Sequence, residues 1–306
     1  MSVKIVQYTF QAQQPWYLAS FYRDTLGMKV LRHEEYFDYC QSTKCEGIYL
    51  QAWSKTVFGY FPEHKSFTLE VHCCMNTGPP LKEYQLVGFT IKSSEILKRA
   101  KVLDEPIYQK KHKFILNDSD GRQFVVLKKR KKPNKDPLVK ITLRSTNLKK
   151  TLDYWHCQLG MLIFSKKKRS VVVGYNVKGV KLKFVLATKQ IYRGKGYLKI
   201  AAPLSFIQKL GEAMKTSNNV ITMPLTHLRV NNLVAVNFML LSDPDAHLIC
   251  FIDDKGFEKM AVANPNANKL LNAYIDRQSR MKKLESLSEE NFQKVQEQNK
   301  SDSSFP

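Results

Sequence analysis

Residues 3–10 (VKIVQYTF) form a short run dense in β-branched and aromatic side chains, the pattern of a strand. A helix should follow. Pro15 suits a first helical turn, Leu18, Phe21, Tyr22 and Leu26 recur on one face, and Gly27 ends the run. The same scheme returns later in the chain. Residues 138–144 (LVKITLR) read as a strand, Asn147 is placed to cap a helix, and Leu148, Leu152, Trp155 and Leu159 line one face as far as Gly160. The helices also match residue by residue: Phe21-Tyr22-Arg23-Asp24-Thr25-Leu26-Gly27-Met28 returns as Tyr154-Trp155-His156-Cys157-Gln158-Leu159-Gly160-Met161. Further along, Asp118-Ser119-Asp120-Gly121 returns as Asp243-Pro244-Asp245-Ala246. The chain is an internal repeat. Its helical stripes are core, and no chemistry is assigned to them.

Each half contains a second, weaker start. Leu86–Ile91 leads through Ser93 and Ser94 into a helix carrying Ile96, Leu97, Ala100 and Leu103, and strands then run to the Asp118 turn and to Phe124–Leu127. Tyr197–Leu204 plays the same part in the second half. Four strand-helix-strands (βαβββ) modules imply an α+β fold in which paired modules curl around a cavity. Lys128–Pro137 has no apolar periodicity and reads as a linker. The expected division is an N-terminal domain at 1–130, a basic linker at 131–137, a C-terminal domain at 138–255 and a tail at 256–306. Within that tail, Lys269–Leu287 carries a broken apolar stripe of Leu270, Leu271, Tyr274, Met281 and Leu284 and predicts a helix, whereas 288–306 is polar enough to be disordered.

Composition narrows the function classes. The 306 residues suffice for two cores, and no apolar run approaches the roughly 18 to 20 residues that cross a bilayer. No secretory leader is evident at the start. The six cysteines, Cys40, Cys45, Cys73, Cys74, Cys157 and Cys250, lack CxxC spacing, which argues against a disulfide framework or a zinc ribbon. A formal charge of +22 predicts salt-sensitive attraction to polyanions. The basic runs Lys128–Lys132 and Ser165–Arg169 lack interleaved aromatic side chains for stacking on bases. Specific nucleic-acid binding is therefore not expected; a solvated linker and a basic hairpin tip are, with nuclear import as a side use of the first run.

Several motifs together resemble a known family. The segment FYRDTLGMKVLRHEE (21–35), WSKT followed by Gly59, the two Asp turns and Asp136-Pro137 opening the second half are similar to the vicinal-oxygen-chelate superfamily, and within it to the glyoxalase domain-containing protein 4 branch. The likeness covers about residues 1–265. It implies two glyoxalase-fold domains. In glyoxalase I, a more distant relative, paired modules each supply one metal ligand from the first strand and one from the last. The bound ion stabilises an enediolate while a last-strand glutamate moves the proton.

Carried onto this chain, the resemblance places Gln7 and Glu70 at the ligand positions of the first module, and both can bind a metal. The second module presents Leu86 and Val125, the third Lys140 and Lys183, and the fourth Lys199 and Cys250. If neighbouring modules pair, Gln7 and Glu70 face Leu86 and Val125; if the first pairs with the fourth, they face Lys199 and Cys250. Neither option completes a ligand set. The glutathione-binding arginine is matched by Arg144 in the third module but is Gln11 in the first, and the associated asparagine is Cys74. His72, two residues beyond Glu70 on the same strand face, is a substitute ligand or an ordinary hydrogen-bonding group.

The expectation is a small-molecule binding or interaction module that catalyses weakly or not at all, with a divalent-metal lactoylglutathione-lyase-like enzyme as the alternative. Lys140, Arg144, Lys183 and Lys199 are candidates to hold a small anionic metabolite, since clustered ammonium groups are relieved by an anion. The contrary reading is that these lysines reach to the sheet edge and bind nothing. A protein partner on the basic surface or tail is a third possibility. His247 is expected at the surface, and Glu34, Glu35 and Asp38 on an exposed hairpin. The resemblance suggests cytosol or mitochondrion, and the early first strand, which carries Gln7, favours the cytosol.

Overall fold

The computed structural model describes residues 3–36, 53–74, 85–129, 135–188, 191, 194, 196–217, 219–230 and 234–302, with no side-chain description for Cys74, Glu285 and residues 288–302. Cys40, Cys45, Asp38 and most of the Lys128–Lys132 run lie outside the described residues.

Four modules follow one another. The first holds β1 (Lys4–Ala12), α1 (Pro15–Tyr17, continuing through Leu18–Thr25), β2 (Lys29–Tyr36), β3 (Trp53–Gly59) and β4 (Thr68–Cys74). The second holds β5 (Leu86–Lys92), α2 (Glu95–Val102), β6 (Tyr108–Lys110), β7 (Lys113–Asn117) and β8 (Gln123–Leu127). The third holds β9 (Leu138–Ser145), α3 (Leu148–Leu152, continuing through Asp153–Gln158), β10 (Leu162–Lys167), β11 (Ser170–Gly174) and β12 (Lys181–Leu186). The fourth holds β13 (Tyr197–Ala202), α4 (Leu204–Thr216), β14 (Ile221–Arg229), β15 (Ala235–Ser242) and β16 (Leu248–Asp253). Helices α5 (Asp254–Met260) and α6 (Ala267–Asp302) complete the chain.

Local chemistry explains the elements. Asn147 Oδ1 accepts from the backbone N–H groups of Lys149 and Lys150, the capping its position predicts. Helices α1 and α3 both widen to a π-type turn and end at Gly27 and Gly160, whose positive φ values of 69° and 72° suit a residue without Cβ. The repeat also extends to side chains. Tyr22 donates its hydroxyl to Asp118 at 2.7 Å, and its counterpart Trp155 donates its indole N–H to Asp243 at 2.9 Å.

The strands form two eight-stranded sheets. Sheet 1 runs β14-β15-β16-β13-β1-β4-β3-β2, joining the first module to the fourth; sheet 2 runs β10-β11-β12-β9-β5-β8-β7-β6, joining the second to the third. Pairing of neighbouring modules is thereby overturned. What neighbours share is the apolar packing between sheets and helices. Phe10, Phe21 and Tyr22 of the first module meet Phe89 and Phe124 of the second, with ring centroids 5.2 to 6.0 Å apart. The first half thus closes an aromatic packing of its own, while each sheet is built from strands of both halves.

The tail differs from expectation. Helix α6 continues to Asp302 instead of ending near Leu287. Its first turns bury Ala267, Leu271 and Tyr274. Arg23 donates to Asn268 and Asn272 at 2.8 Å, and the His33 ring lies 5.0 Å from that of Tyr274, which fixes the helix on α1 and β2.

Candidate functional site

On sheet 1, strand register alone aligns three of the candidate residues. Cys250, Lys199, Gln7 and Thr68 form a cross-strand row over β16, β13, β1 and β4, and Glu70 stands two residues beyond Thr68 on the same face. Gln7, Glu70, Lys199 and Cys250 are therefore brought together. All four are buried.

The side chains bond one another closely. The Lys199 ammonium donates to Gln7 Oε1 and lies 3.6 Å from Glu70 Oε2. The Gln7 amide N–H group turns the other way, to Glu63 Oε1 and Thr68 Oγ1, each at 3.1 Å. Glu70 Oε1 accepts from Thr9 at 3.2 Å and Tyr197 at 3.4 Å, and lies 3.0 Å from His72 Nε2. Burial opposes the charge on Glu70, but Lys199, the His72 hydrogen bond and Lys55 hold it well below the usual carboxylate range. Burial pushes the Cys250 thiol up to about 11, so it stands protonated at neutral pH.

A second layer supports this row. Arg32 grips Glu63 through two nitrogens, at 2.9 and 3.0 Å, and reaches Glu34 at 3.1 Å. Lys55 bridges Glu34 at 2.8 Å and Tyr36 at 3.1 Å, and burial-opposed attraction to Glu70 and Glu34 raises its pKa. Glu34 is thus paired, and Glu35 pairs with Arg277, so the expected solvated acidic patch is in part a built network. Sequence reasoning missed Arg32, Lys55, Glu63 and Tyr197. Alternation along KVLRHEEY marks Arg32 and Glu34 as facing one way, whereas nothing in the turn around Glu63 announces its role.

Sheet 2 repeats the row with different chemistry. Lys181, Lys140, Thr90 and Val125 align across β12, β9, β5 and β8. Thr90, not Leu86, occupies the second module's place: Leu86 is buried at the strand start, before a register shift at Gly88, where a Cβ would fall 1.9 Å from the Gln123 carbonyl oxygen. Lys140 and Lys183 share this face; Lys199 belongs to sheet 1, so the four-residue anion set is divided between two sheets. Arg144 also lies on β9, with its Nε unpartnered among the described residues.

The Asp turns are structural. Asp243 accepts from the backbone of Asp245 and His247, Asp245 accepts from Thr146, and His247 lies 2.8 Å from the Arg144 carbonyl oxygen. Asp243, Asp245 and His247 stand close enough to resemble a cation site, but these bonds already account for the cluster. His247 is buried rather than surface-exposed: its ring meets Phe184 edge-on and reaches the Arg144 carbonyl oxygen on β9.

Comparison with known proteins agrees with this architecture. Residues 147–260 match the family model for the glyoxalase domain-containing protein 4-like C-terminal domain. The chain is 30% identical over 272 residues to mouse glyoxalase domain-containing protein 4, covering 88% of this chain and 91% of that one. It is also 30% identical over 285 residues to a Caenorhabditis briggsae protein named glyoxalase 1, covering 90% and 98%. The crystal structure of maize glyoxalase I superposes with a TM-score of 0.69 at 17% identity, covering 85% of this chain and 95% of that one, a likeness of fold. With this identity over most of both chains and its paired βαβββ modules, the chain belongs to the glyoxalase domain-containing protein 4 family of the vicinal-oxygen-chelate fold.

Proposed function

We propose that this protein is a glyoxalase-fold small-molecule binding module that does not run divalent-metal lyase chemistry at the Gln7–Glu70 site. The observation carrying this reading is the Lys199 ammonium, which donates to Gln7 Oε1 and faces Glu70 across 3.6 Å. Those are the two oxygen donors a divalent ion would require. The ammonium already bonds the first and ion-pairs with the second, and a second cation beside it would meet direct repulsion. The donor set does not fit a resident ion: it offers one amide, one carboxylate, a thiol that burial keeps protonated and a lysine. Removing the proton in a glyoxalase reaction also requires a competent base, whereas Lys199 and His72 hold the Glu70 pKa well below the usual range, which leaves its carboxylate weakly basic, and Thr9 and His72 occupy one of its oxygens.

The second reading is a metal-dependent lyase using Gln7, Glu70 and His72, favoured by His72 lying 3.0 Å from Glu70 and by relatives named glyoxalase 1. Metal analysis of purified protein, with Glu70→Ala alongside, separates the two. The binding reading expects substoichiometric nickel, zinc, iron and manganese and no chelator-sensitive turnover of the methylglyoxal–glutathione adduct. One tightly held ion lost in Glu70→Ala, with turnover abolished by chelator, would establish the lyase instead. We place the protein in the cytoplasm, with the mitochondrion as the alternative that fractionation tests. No helix among the described residues is long and apolar enough to cross a membrane.

A further inference from the structure

We propose that a cavity at one end of sheet 2 is a binding site for a small organic phosphate monoester, with Lys140 on its floor. The cavity measures about 390 Å³, within the range of small-molecule sites. Its wall joins parts far apart in sequence: Thr90 and Lys92 of β5, Lys129 just after β8, Lys135 just before β9, Lys140 of β9, and Val177, Lys178, Gly179 and Lys181 at the turn into β12. Six lysines, Lys92, Lys129, Lys135, Lys140, Lys178 and Lys181, line it, against one acid, Asp136. That acid is committed elsewhere, because its two oxygens accept from the backbone N–H groups of Leu138 and Phe67, each at 2.9 Å.

The lysines divide into two kinds. Lys181 is structural: it donates to the carbonyl oxygens of Asn176, Val177 and Gly179 and sits over the Phe164 ring, so it ties down the loop that forms one wall. Lys140 is different. It is half-buried on the floor, and among the described residues no carboxylate forms an ion pair with it. Burial and the positive charges of Lys183, Lys113, Lys92 and Lys167 all press its pKa downward. A half-buried ammonium in a cavity lined by five further lysines is an uncompensated field, which a multiply charged anion relieves more than a monoanion does. The cationic lining consists of lysines, which hold phosphate as point charges, and a phosphate monoester brings up to two negative charges where a carboxylate brings one. Leu127, Pro137, Val139, Val172 and Val177 supply apolar wall for a short carbon skeleton.

The inference rests on the reading that the chain binds a small molecule, but it concerns the other sheet and has its own test. Full-length protein is titrated by calorimetry at low ionic strength with glycerol 3-phosphate, inorganic phosphate, succinate and glycerol. The expected result is saturable 1:1 binding of glycerol 3-phosphate, weaker binding of inorganic phosphate and none of glycerol. Lys140→Gln should weaken it about tenfold or more, the loss of one charge-assisted contact, and the rim pair Lys92→Gln and Lys135→Gln should weaken it as well. Lys149→Gln, on the helix packed against the opposite face of the sheet, should leave it unchanged. Circular dichroism confirms that each variant is folded, and the rim pair decides the matter if Lys140→Gln is not. No saturation with glycerol 3-phosphate, equal losses in Lys140→Gln and Lys149→Gln, or tighter binding of succinate would each overturn the proposal. A metal-loaded, lyase-active protein would instead defeat the reading of sheet 1 and leave this titration to be scored separately.

Discussion

The Lys199 ammonium stands 3.6 Å from a Glu70 carboxylate oxygen, with both side chains buried and Gln7 opposite Lys199 in the strand register. Burying two charges costs free energy, so the pair need not stabilise the fold relative to apolar residues of similar size. Removing one partner is the damaging change, because it strands the other charge in a low-dielectric interior. Lys199→Met is therefore expected to lose about 3 to 5 kcal/mol, and Lys199→Met combined with Glu70→Leu to recover much of that. Urea unfolding of the single and double variants measures the coupling; strictly additive losses would mean that the two groups are energetically independent.

The same geometry predicts how a metal site would be created. Lys199→His replaces the ammonium with a neutral imidazole donor beside Gln7 Oε1 and Glu70, leaving three compatible ligands in the row. This variant should take up about one equivalent of zinc and gain thermal stability in its presence, while the unaltered protein shows neither change. Elemental analysis after gel filtration reads the outcome. Failure to take up zinc would show that something other than the ammonium excludes the ion.

Much of this was legible in the chain because the relevant signals were local and periodic. Leu18, Phe21, Tyr22 and Leu26 recur at helical spacing, and the return of Phe21–Met28 as Tyr154–Met161 exposes the repeat; both follow from short-range geometry. Gln7, Glu70, Lys199 and Cys250 were reached through the family resemblance, and the strand register brings them to one face of sheet 1. Long-range pairing was not legible, since β1 meets both β4 and β13 and nothing in its own residues names the second partner. Thr90 was missed because the register shift at Gly88 breaks the count that pointed to Leu86. Glu63 was missed for a different reason: a turn residue acquires its role from Arg32 and Gln7, which fold onto it from other elements.

His33 should give the protein an acid-sensitive step. It is buried against Tyr274, with Nδ1 2.8 Å from Thr56 Oγ1, and burial lowers its pKa from 6.5 to about 4, with Arg277 adding to the effect and Glu35 and Glu34 opposing it. A group whose folded pKa lies below its unfolded value contributes stability that is complete above about pH 6.5. That contribution is lost as pH falls from there through about 4, and here it amounts to roughly 3 kcal/mol. His33→Gln should flatten the stability profile across that window. An unchanged slope between pH 6.5 and 4 would place the proton uptake elsewhere.

Helix α6 tests whether the tail belongs to the folded unit. It contributes Ala267, Leu271 and Tyr274 to buried surface, and the Arg277–Glu35 contact sits at its outer edge with the arginine half exposed. Fully burying two large side chains is worth about 1.5 to 3 kcal/mol each, whereas an exposed ion pair contributes well under 1 kcal/mol. Truncation after Asn266 should therefore cost about 3 to 6 kcal/mol, while Arg277→Ala should change stability by only a few tenths of a kcal/mol. The truncation should also open the His33 ring to water and move its pKa back toward 6.5, because both Tyr274 and Arg277 are removed. Following the His33 ring protons by NMR during a pH titration, together with urea melts of both variants, separates apolar docking from surface charge. An equal effect of Arg277→Ala and the truncation would mean that the ion pair, not the buried face, holds the helix.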